Sequence, residues 1–234
     1  MDNTRFQFKP STHTYTLDGK RMTGVTTVLG VIAKPMLIGW ASKMACEYVK
    51  ENLKDINDLD EVLALAVNAH TKKKEKAGQA GTDTHAQVEV YVKGCIATNE
   101  GNPVNAIKVE TPALNSFIQW AIENKVKFLE SEKVMYSEKW FVGGTCDLVF
   151  EQDGKRYVGD VKTMKKMWDR VPYFQCAAYM EMLRENDKQK YDGSCIINIP
   201  KETNQVETFY SYDHESDLKA FEAALVLHRA LQNG

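Results

Sequence analysis

Alternating apolar and polar positions predict a β-hairpin near the start of the chain. Tyr15 and Leu17 alternate with polar residues, and the pair Asp18-Gly19 follows them directly. An Asp-Gly pair is favoured in the two-residue turn that joins antiparallel strands, and a β-branched run, Val25–Leu29, comes soon after it. We therefore predict an N-terminal hairpin region over residues 1–37.

The spacing of apolar residues then changes to the period of an α-helix. From Ile38 to about Val92, apolar residues recur every three or four positions, which predicts several consecutive helices. A further helix is expected to begin at Thr111, whose side chain can cap it, with Pro112 in the first turn and helical spacing as far as Leu129. Residues 38–130 are thus predicted to form a helical segment.

The remaining part of the chain, residues 131–234, alternates between strand and helix patterns. Strands are predicted at residues 133–136, 144–150, 156–162, 193–199 and 206–212. Helices are predicted at about residues 172–184 and over a closing segment with apolar positions at Leu218, Phe221 and Leu225. The prediction is a single domain over residues 1–234, of class α/β (α+β), with a central mixed sheet flanked by helices.

Composition places the chain among globular proteins, with 43% hydrophobic and 26% charged residues over 234 positions. No run approaches the roughly 18 apolar residues of a membrane span, and the N-terminus lacks the apolar stretch of a signal peptide. We therefore expect no membrane association and a cytoplasmic location. The five cysteines are scattered and form no C-x-x-C pair, so neither a disulfide framework nor a zinc or iron–sulfur site is predicted.

Charge points to local patches rather than to a basic protein. The formal net charge is −2, whereas nucleic-acid-binding domains usually carry a basic excess. Two basic runs are candidate DNA contacts: Lys72, Lys73, Lys74 and Lys76, then Lys162, Lys165, Lys166 and Arg170. Such a run is more often a solvated face, so a DNA role needs other support. Trp168, inside the second run, is expected either to stack on a base or to pack in the core.

A second hairpin is predicted around Asp153-Gly154, again a pair that suits a two-residue turn. Counting outward from this turn places Leu148 opposite Gly159 and Cys146 opposite Val161, which makes one face of the hairpin apolar. On the other face the same register gives two polar pairs, Asp147 with Asp160 and Thr145 with Lys162.

Two acids directly opposite each other on a sheet repel unless something neutralises them. A divalent cation would do so, and hard oxygen ligands favour Mg²⁺ or Mn²⁺. Lys162 projects from the same face as Asp160, because side chains alternate along a strand, and its ammonium group could orient a water molecule. The alternative is a solvent-facing hairpin that carries two acids by chance, with Lys162 as a neutralising neighbour.

Several motifs in this order resemble the PD-(D/E)XK nuclease superfamily. They are Phe8-Lys-Pro-Ser-Thr-His-Thr-Tyr15, Val25-Thr-Thr-Val-Leu29, Gly81-Thr-Asp-Thr-His85, Glu132 ahead of Val134-Met-Tyr136, Gly144-Thr-Cys-Asp147, Asp160-Val-Lys162 and Gln175-Cys-Ala-Ala-Tyr179. Within the superfamily the chain is most similar to the RecB-like and phage exonuclease branch, which includes the mitochondrial genome maintenance exonuclease. The resemblance implies a restriction-endonuclease-like core, although the proline that usually precedes the first acid of the family name is absent here.

The resemblance also implies roles for individual residues. Asp147, Asp160, His85 and the carbonyl of Val161 would bind the metal, while Lys162 would position the attacking water. Glu132 would be an accessory acid, although Glu130 and Glu138 are close enough in sequence to be exchanged with it. Gln175 would lie near the catalytic site, Tyr179 would support it or touch the DNA backbone, and Glu89 would share the helical face of His85.

The function that the resemblance implies is metal-dependent hydrolysis of DNA. We expect an exonuclease of phage or bacterial recombination, repair or replication, using Mg²⁺ or Mn²⁺ on DNA that is single-stranded or has free ends. A recombination protein is a possible partner. The alternatives are a flap endonuclease and a nuclease-like protein that binds DNA or a partner without cutting. The iron–sulfur nucleases of the superfamily are not expected, because the chain has no cysteine cluster.

Overall fold

The computed structural model describes residues 5–34, 36–52, 59–105, 111–167 and 169–232. The strands are β1 (Phe6–Lys9), β2 (Thr14–Leu17), β3 (Lys20–Arg21), β4 (Thr23–Gly24), β5 (Lys127–Ser137), β6 (Val142–Gln152), β7 (Lys155–Lys162), β8 (Gly193–Asn198) and β9 (Glu207–Ser211). The helices are α1 (Val25–Leu29), α2 (Met36–Asn52), α3 (Leu59–Val67), α4 (Ala69–Asn99), α5 (Pro112–Glu123), α6 (Val171–Asp187) and α7 (His214–Gln232). The predicted α/β class is confirmed.

The chain forms two compact units. One comprises Met1–Ile32 together with Thr84–Gly234, and the other comprises Ala33–Asp83. The second unit contains α2, α3 and the first part of α4, and the first unit contains everything else. Within the described ranges, no helix has both the length and the apolar character needed to span a bilayer.

The N-terminal hairpin is confirmed. Strands β1, β2 and β3 form a small antiparallel sheet, with Leu17 paired to Lys20 across the turn. Asp18 and Gly19 have φ angles of 49° and 74°, which are the positive values that a type I′ turn requires at both central positions. The β-branched run Val25–Leu29 forms helix α1, and its buried members pack in the main core.

The central sheet is mixed, as predicted. Its strands lie in the order β4-β6-β7-β8-β9, and β5 pairs with β6 as well. Strands β4 and β6 are parallel, as are β7 and β8, whereas the other pairs are antiparallel. Side chains of α1, α6 and α7 share one apolar cluster with the sheet, while α5 and residues 88–95 of α4 share the other. The predicted flanking of the sheet by helices is therefore confirmed.

Strand β6 has a short open stretch in the middle of the sheet. One of its edges pairs with β5 from Val142 to Glu151. The other edge pairs with β4 only at residues 142–143 and with β7 only at residues 148–152. On this edge, residues 144–147 pair with neither β4 nor β7. Their backbone N–H and C=O groups are therefore available for hydrogen bonds with side chains.

Helix α5 confirms its predicted start but not its predicted end. The Thr111 hydroxyl accepts a hydrogen bond from the Leu114 amide at 3.3 Å, which is the expected cap. The helix stops at Glu123, because Lys125 has a φ of 49° that turns the backbone out of the helix. Leu129, predicted to lie in this helix, belongs instead to β5, whose 11 residues also extend well beyond the predicted strand.

Candidate active site

The register of the β6–β7 hairpin agrees with the prediction near the turn. Gln152 pairs with Lys155, and the ladder continues to Leu148 paired with Gly159. Asp153 and Gly154 have φ angles of 51° and 71°, as a type I′ turn requires. The ladder ends at that point, so the predicted pairs Asp147 with Asp160 and Thr145 with Lys162 are not part of it.

The predicted apolar face is wrong at its far end. Leu148 and Val161 pack in the cluster beneath α5, whereas Cys146 packs with Val149 and Val158 in the other cluster. Regular alternation along β6 would keep Cys146 and Leu148 on one face. The alternation fails at the point where the pairing of β7 with β6 ends, while the other edge of β7 stays paired with β8 as far as Lys162.

The Asp147 side chain connects β6 to β7 where the two strands separate. Its Oδ2 atom accepts a hydrogen bond from the Val161 amide at 2.8 Å. Burial raises the pKa of Asp147, while the Lys162 ammonium and this hydrogen bond act in the opposite direction. The carboxylate is therefore held against the backbone that carries Asp160, although the two acids are not a paired position of the ladder.

Asp160 is buried, with 1% exposure, and both of its carboxylate oxygens have partners. Gln175 Nε2 donates to Oδ1 at 3.0 Å, and the Lys162 ammonium contacts Oδ2. Burial raises the pKa of Asp160 to about 6, with Lys162 lowering it and Asp147 raising it further. Burial alone would lower the pKa of Lys162, but Asp160 and Asp147 outweigh it, so the lysine is held in its charged form.

Helix α6 supplies the group that holds Asp160 in place. Gln175 and Tyr179 lie one turn apart on this helix, and Gln175 Nε2 also donates to the Tyr179 hydroxyl at 3.1 Å. Tyr179 is 3% exposed, which favours its predicted role in supporting the site over a contact with the DNA backbone. Its ring lies so close to Gly144 that a Cβ atom there would be 2.6 Å from Tyr179 Cε1.

His85 borders the two acids from helix α4. Its Nδ1 atom lies 3.6 Å from Asp147 Oδ2, which is longer than a hydrogen bond. Burial and the nearby Lys162 ammonium lower the pKa of His85, so the imidazole is predominantly neutral at pH 7. A neutral imidazole has a lone pair that can ligate a metal.

Glu132 is the acid of the three candidates that approaches this site. It lies on β5 between Ser131 and Lys133, which pair with Leu148 and Cys146 of β6. This places Glu132 across from Asp147. Its φ of 50° is unusual for a residue within a strand. Burial, then Asp147 and Glu89, raise the pKa of Glu132 to about 7.

The two other acids have partners away from the site. Glu130 forms an ion pair with Lys133 at 3.0 Å, and Glu138 forms one with Arg5 at 3.5 Å. Of the three acids, Glu132 is therefore the one that lies beside Asp147, and its role as accessory acid stays a prediction.

The donor set fits a hard divalent cation with few protein ligands. Over the described ranges, no three or more His, Cys, Asp and Glu side chains are arranged to hold one metal ion. Magnesium commonly takes only one or two carboxylates, with water and phosphate completing its shell. Asp160 supplies a buried carboxylate and Asp147 a partly buried one. The pKa values of both are raised, so a bound cation would relieve the cost of their charge.

The second basic run begins at Lys162, the last residue of β7, and continues into the segment that follows this strand. Lys165 and Lys166 are exposed, and Asn198 holds the preceding turn through two 2.9 Å hydrogen bonds with the backbone of Met164. Arg170 is 59% exposed, but it donates to buried Asp217 at 2.7 Å, which gives it a structural partner. Trp168 lies outside the described residues.

The first basic run lies on α4 in the second compact unit. Lys72, Lys73 and Lys74 are exposed, as both the DNA-binding and the solvated-face readings require. The side chain of Lys76 lies outside the described part of the chain. The role of this run stays a prediction.

Comparisons with known proteins do not identify the chain. No protein-family model matches it, and no curated protein matches it. Among solved structures, one titled "Crystal structure of SSO0001" aligns over 82% of this chain and 86% of that chain, with 10% sequence identity and a TM-score of 0.33. A structural similarity this weak carries no argument about function. The functional proposal therefore depends on the side chains of the site.

Proposed function

We propose that this protein is a divalent-metal-dependent nuclease that hydrolyses phosphodiester bonds in DNA. The observation that carries the proposal is the gathering of a buried carboxylate, a partly buried carboxylate and a charged lysine, from Asp160, Asp147 and Lys162, where β6 and β7 separate. A structural ion pair would need only one acid for one lysine. Two acids with raised pKa values, bordered by a neutral imidazole, form a set of oxygen and nitrogen donors suited to a cation.

The metal would be held by Asp147 and Asp160, with the Val161 carbonyl as a further donor and the His85 imidazole bordering the site, where the resemblance implies a ligand. When bound, Mg²⁺ or Mn²⁺ would neutralise charge on the phosphate and increase the acidity of water. Gln175 keeps Asp160 in a fixed orientation through its 3.0 Å hydrogen bond, so the carboxylate needs little reorganisation.

Lys162 and Glu132 would handle the attacking water. Lys162 is held as an ammonium by the two acids, so it would donate hydrogen bonds to orient the water and would not accept a proton. Glu132 has a pKa of about 7, so a substantial fraction is ionised at neutral pH and is suited to accept the proton that the water loses.

The substrate assignment rests on the sequence resemblance. We propose an exonuclease that acts on single strands or free ends in phage or bacterial recombination, repair or replication, in the cytoplasm of the bacterium or infected host. Lys72, Lys73, Lys74, Lys165 and Lys166 are the exposed cations proposed to contact phosphates. A recombination protein is the proposed type of partner.

The test is a digestion of matched linear and covalently closed circular DNA, each single- and double-stranded, with Mg²⁺ or Mn²⁺. We expect loss of linear DNA and survival of single-stranded circles. Efficient cutting of the circles would change the assignment to an endonuclease. Intact DNA in every lane, together with no Mn²⁺ binding by calorimetry, would overturn the nuclease proposal.

A further inference from the structure

The N-terminal hairpin places a tyrosine against the open stretch of β6. Tyr15, on β2, is 3% exposed, and its ring covers Gly143 so closely that a Cβ atom there would be 2.4 Å from Tyr15 Cγ. Its hydroxyl shares a 2.8 Å hydrogen bond with Thr145 Oγ1. Thr145 belongs to the four residues of β6 that have neither β4 nor β7 as a neighbour, and it is two residues before Asp147.

The Tyr15 hydroxyl makes a second hydrogen bond within the N-terminal hairpin region. His13 Nε2 lies 2.8 Å from the Tyr15 oxygen. The backbone of His13 has a φ of 47°, and its ring meets Phe8 and Tyr15 edge-on, with centroids 5.2 Å and 5.4 Å away. A positive φ at a residue other than glycine is costly, so surrounding contacts must maintain it. These contacts keep the imidazole over the tyrosine.

The Tyr15 hydroxyl also senses the charge of an acid of the candidate site. Burial raises the pKa of Tyr15 and the Glu132 carboxylate raises it further, which places this hydroxyl in the electrostatic range of the accessory acid. On the described side chains, the hydrogen bonds of Tyr15 thus join two parts of the molecule, the hairpin at His13 and the open stretch of β6 at Thr145.

We propose that Tyr15 is a positioning residue of the nuclease site, which holds Thr145 and thereby the segment of β6 that carries Asp147. The proposal rests on the proposed function. The open stretch lacks ladder hydrogen bonds on one edge, so a side chain that fixes Thr145 replaces part of the missing order. His13 keeps the Tyr15 hydroxyl oriented, and the hairpin is therefore part of the catalytic apparatus and not only a cover for the sheet.

Removal of single hydroxyl groups tests this positioning role. Tyr15→Phe keeps the ring on Gly143 and removes both hydrogen bonds, while Thr145→Val removes the other partner of the shared bond. We expect each variant to lower kcat on linear DNA about tenfold, because small displacements of catalytic groups have effects of this size or more. KM should stay within about twofold and the Mn²⁺ Kd should rise, since the displaced group binds metal and not DNA.

The double variant and a matched control decide the outcome. If the two hydroxyls act through their shared bond, Tyr15→Phe with Thr145→Val should lose no more activity than either alone. Tyr136→Phe removes a hydroxyl from a ring stacked on Phe6 in the same region, with centroids 4.3 Å apart, and should match the wild type.

Two different failures are distinguishable. If the wild type cuts DNA and binds Mn²⁺ but Tyr15→Phe has unchanged kcat and Kd, the positioning role is wrong while the nuclease proposal stands. Additive losses of activity in the double variant would also overturn the positioning role. A wild type that neither binds Mn²⁺ nor cuts would overturn the proposed function, and the positioning role with it. Thermal unfolding of all variants, with midpoints within a few degrees of wild type, excludes a folding defect; if Tyr15→Phe unfolds, Thr145→Val carries the test.

Discussion

The amide of Val161 donates a hydrogen bond to Oδ2 of Asp147 over 2.8 Å, and this bond joins β6 to β7 at the point where their backbones separate. A residue proposed to bind metal therefore also closes a gap in the sheet. The two roles depend on different properties of the side chain. Metal binding requires its negative charge, whereas the contact with Val161 requires only an acceptor oxygen.

Asp147→Asn and Asp147→Ala separate these roles. The amide oxygen of asparagine can still accept from Val161, so we expect Asp147→Asn to fold with at least wild-type stability in chelator. Asp147→Ala leaves the amide without its partner and should be less stable than the asparagine variant by about 1–2 kcal/mol. Both should lose cleavage. Urea denaturation measures the difference, and equal stability of the two variants would contradict a structural role for the Val161 hydrogen bond.

Lys162→Met should abolish cleavage while cation binding persists. The ammonium contacts Asp160 Oδ2, so its removal leaves two acids without their neutralising partner. We expect the metal-free variant to be less stable than wild type at pH 8, and Mn²⁺ to restore more stability to it than to the wild type. Its Mn²⁺ affinity should be equal or higher. Calorimetric titration and thermal unfolding measure both effects, and loss of Mn²⁺ binding would mean that Lys162 helps to form the cation site.

Gln175→Ala should reduce cleavage, because Asp160 Oδ1 loses the group that orients it. We expect a decrease in kcat of about ten- to a hundredfold, with KM little changed. Tyr179→Phe is the matched control, since it removes only the other acceptor of the Gln175 amide. A steady-state assay of both variants on linear DNA is sufficient. If Tyr179→Phe lowered kcat as much as Gln175→Ala, the losses would come from the packing of α6 and not from the orientation of Asp160.

The sequence predicts local features of this fold well, because they depend on neighbours in the chain. Asp153-Gly154 specifies a turn, and the turn determines the register of the pairs next to it, ending with Leu148 and Gly159. The Thr111 cap was predictable for the same reason. In each case the determining residues lie within about ten positions of each other.

The features that were predicted wrongly or missed depend on distant parts of the chain. Alternation along β6 fails at Asp147, where β7 no longer pairs with β6 and stays paired on its other edge with β8, whose sequence begins at Gly193. The DNA contact of Arg170 stays a prediction, but its guanidinium also pairs with Asp217, 47 residues later, a partner that the sequence did not indicate. Tyr15 was noticed only as part of a motif, and its bond to Thr145 spans 130 residues. No local pattern of charge or hydrophobicity indicates these partners.

The lysine run on α4 provides a test of DNA contact that does not depend on catalysis. Replacing Lys72, Lys73, Lys74 and Lys76 with glutamine should weaken DNA binding and reduce the steepness of its salt dependence, because each lost phosphate contact removes a slope of about 0.9. Binding should be measured at several salt concentrations in chelator. A control with the exposed Lys125, Lys127, Lys188 and Lys190 changed to glutamine has the same net charge. Equal slopes in the two variants would support the solvated-face alternative.

Asp160→Asn is the variant that tests the site most directly. Folding raises the pKa of Asp160 from 3.8 to about 6. The folded state therefore holds the proton more tightly than the unfolded state, and ionisation lowers stability as the pH rises through this window. Asparagine has no proton to lose. In chelator, Asp160→Asn should thus be about as stable as wild type at pH 4 and more stable at pH 7, by at most about 3 kcal/mol.

The same variant should bind no Mn²⁺ and should not cut DNA, because half of the carboxylate pair is gone. Asp153→Asn, in the exposed turn of the same hairpin, controls for the loss of one negative charge and should retain cleavage and the wild-type pH profile of stability. Urea denaturation between pH 4 and pH 8 measures the stability, and Mn²⁺ calorimetry with a nuclease assay measures the function. Wild-type cleavage by Asp160→Asn would mean that the buried acid and its lysine are a structural ion pair, and the assignment of the catalytic site to Asp147, Asp160 and Lys162 would then be wrong.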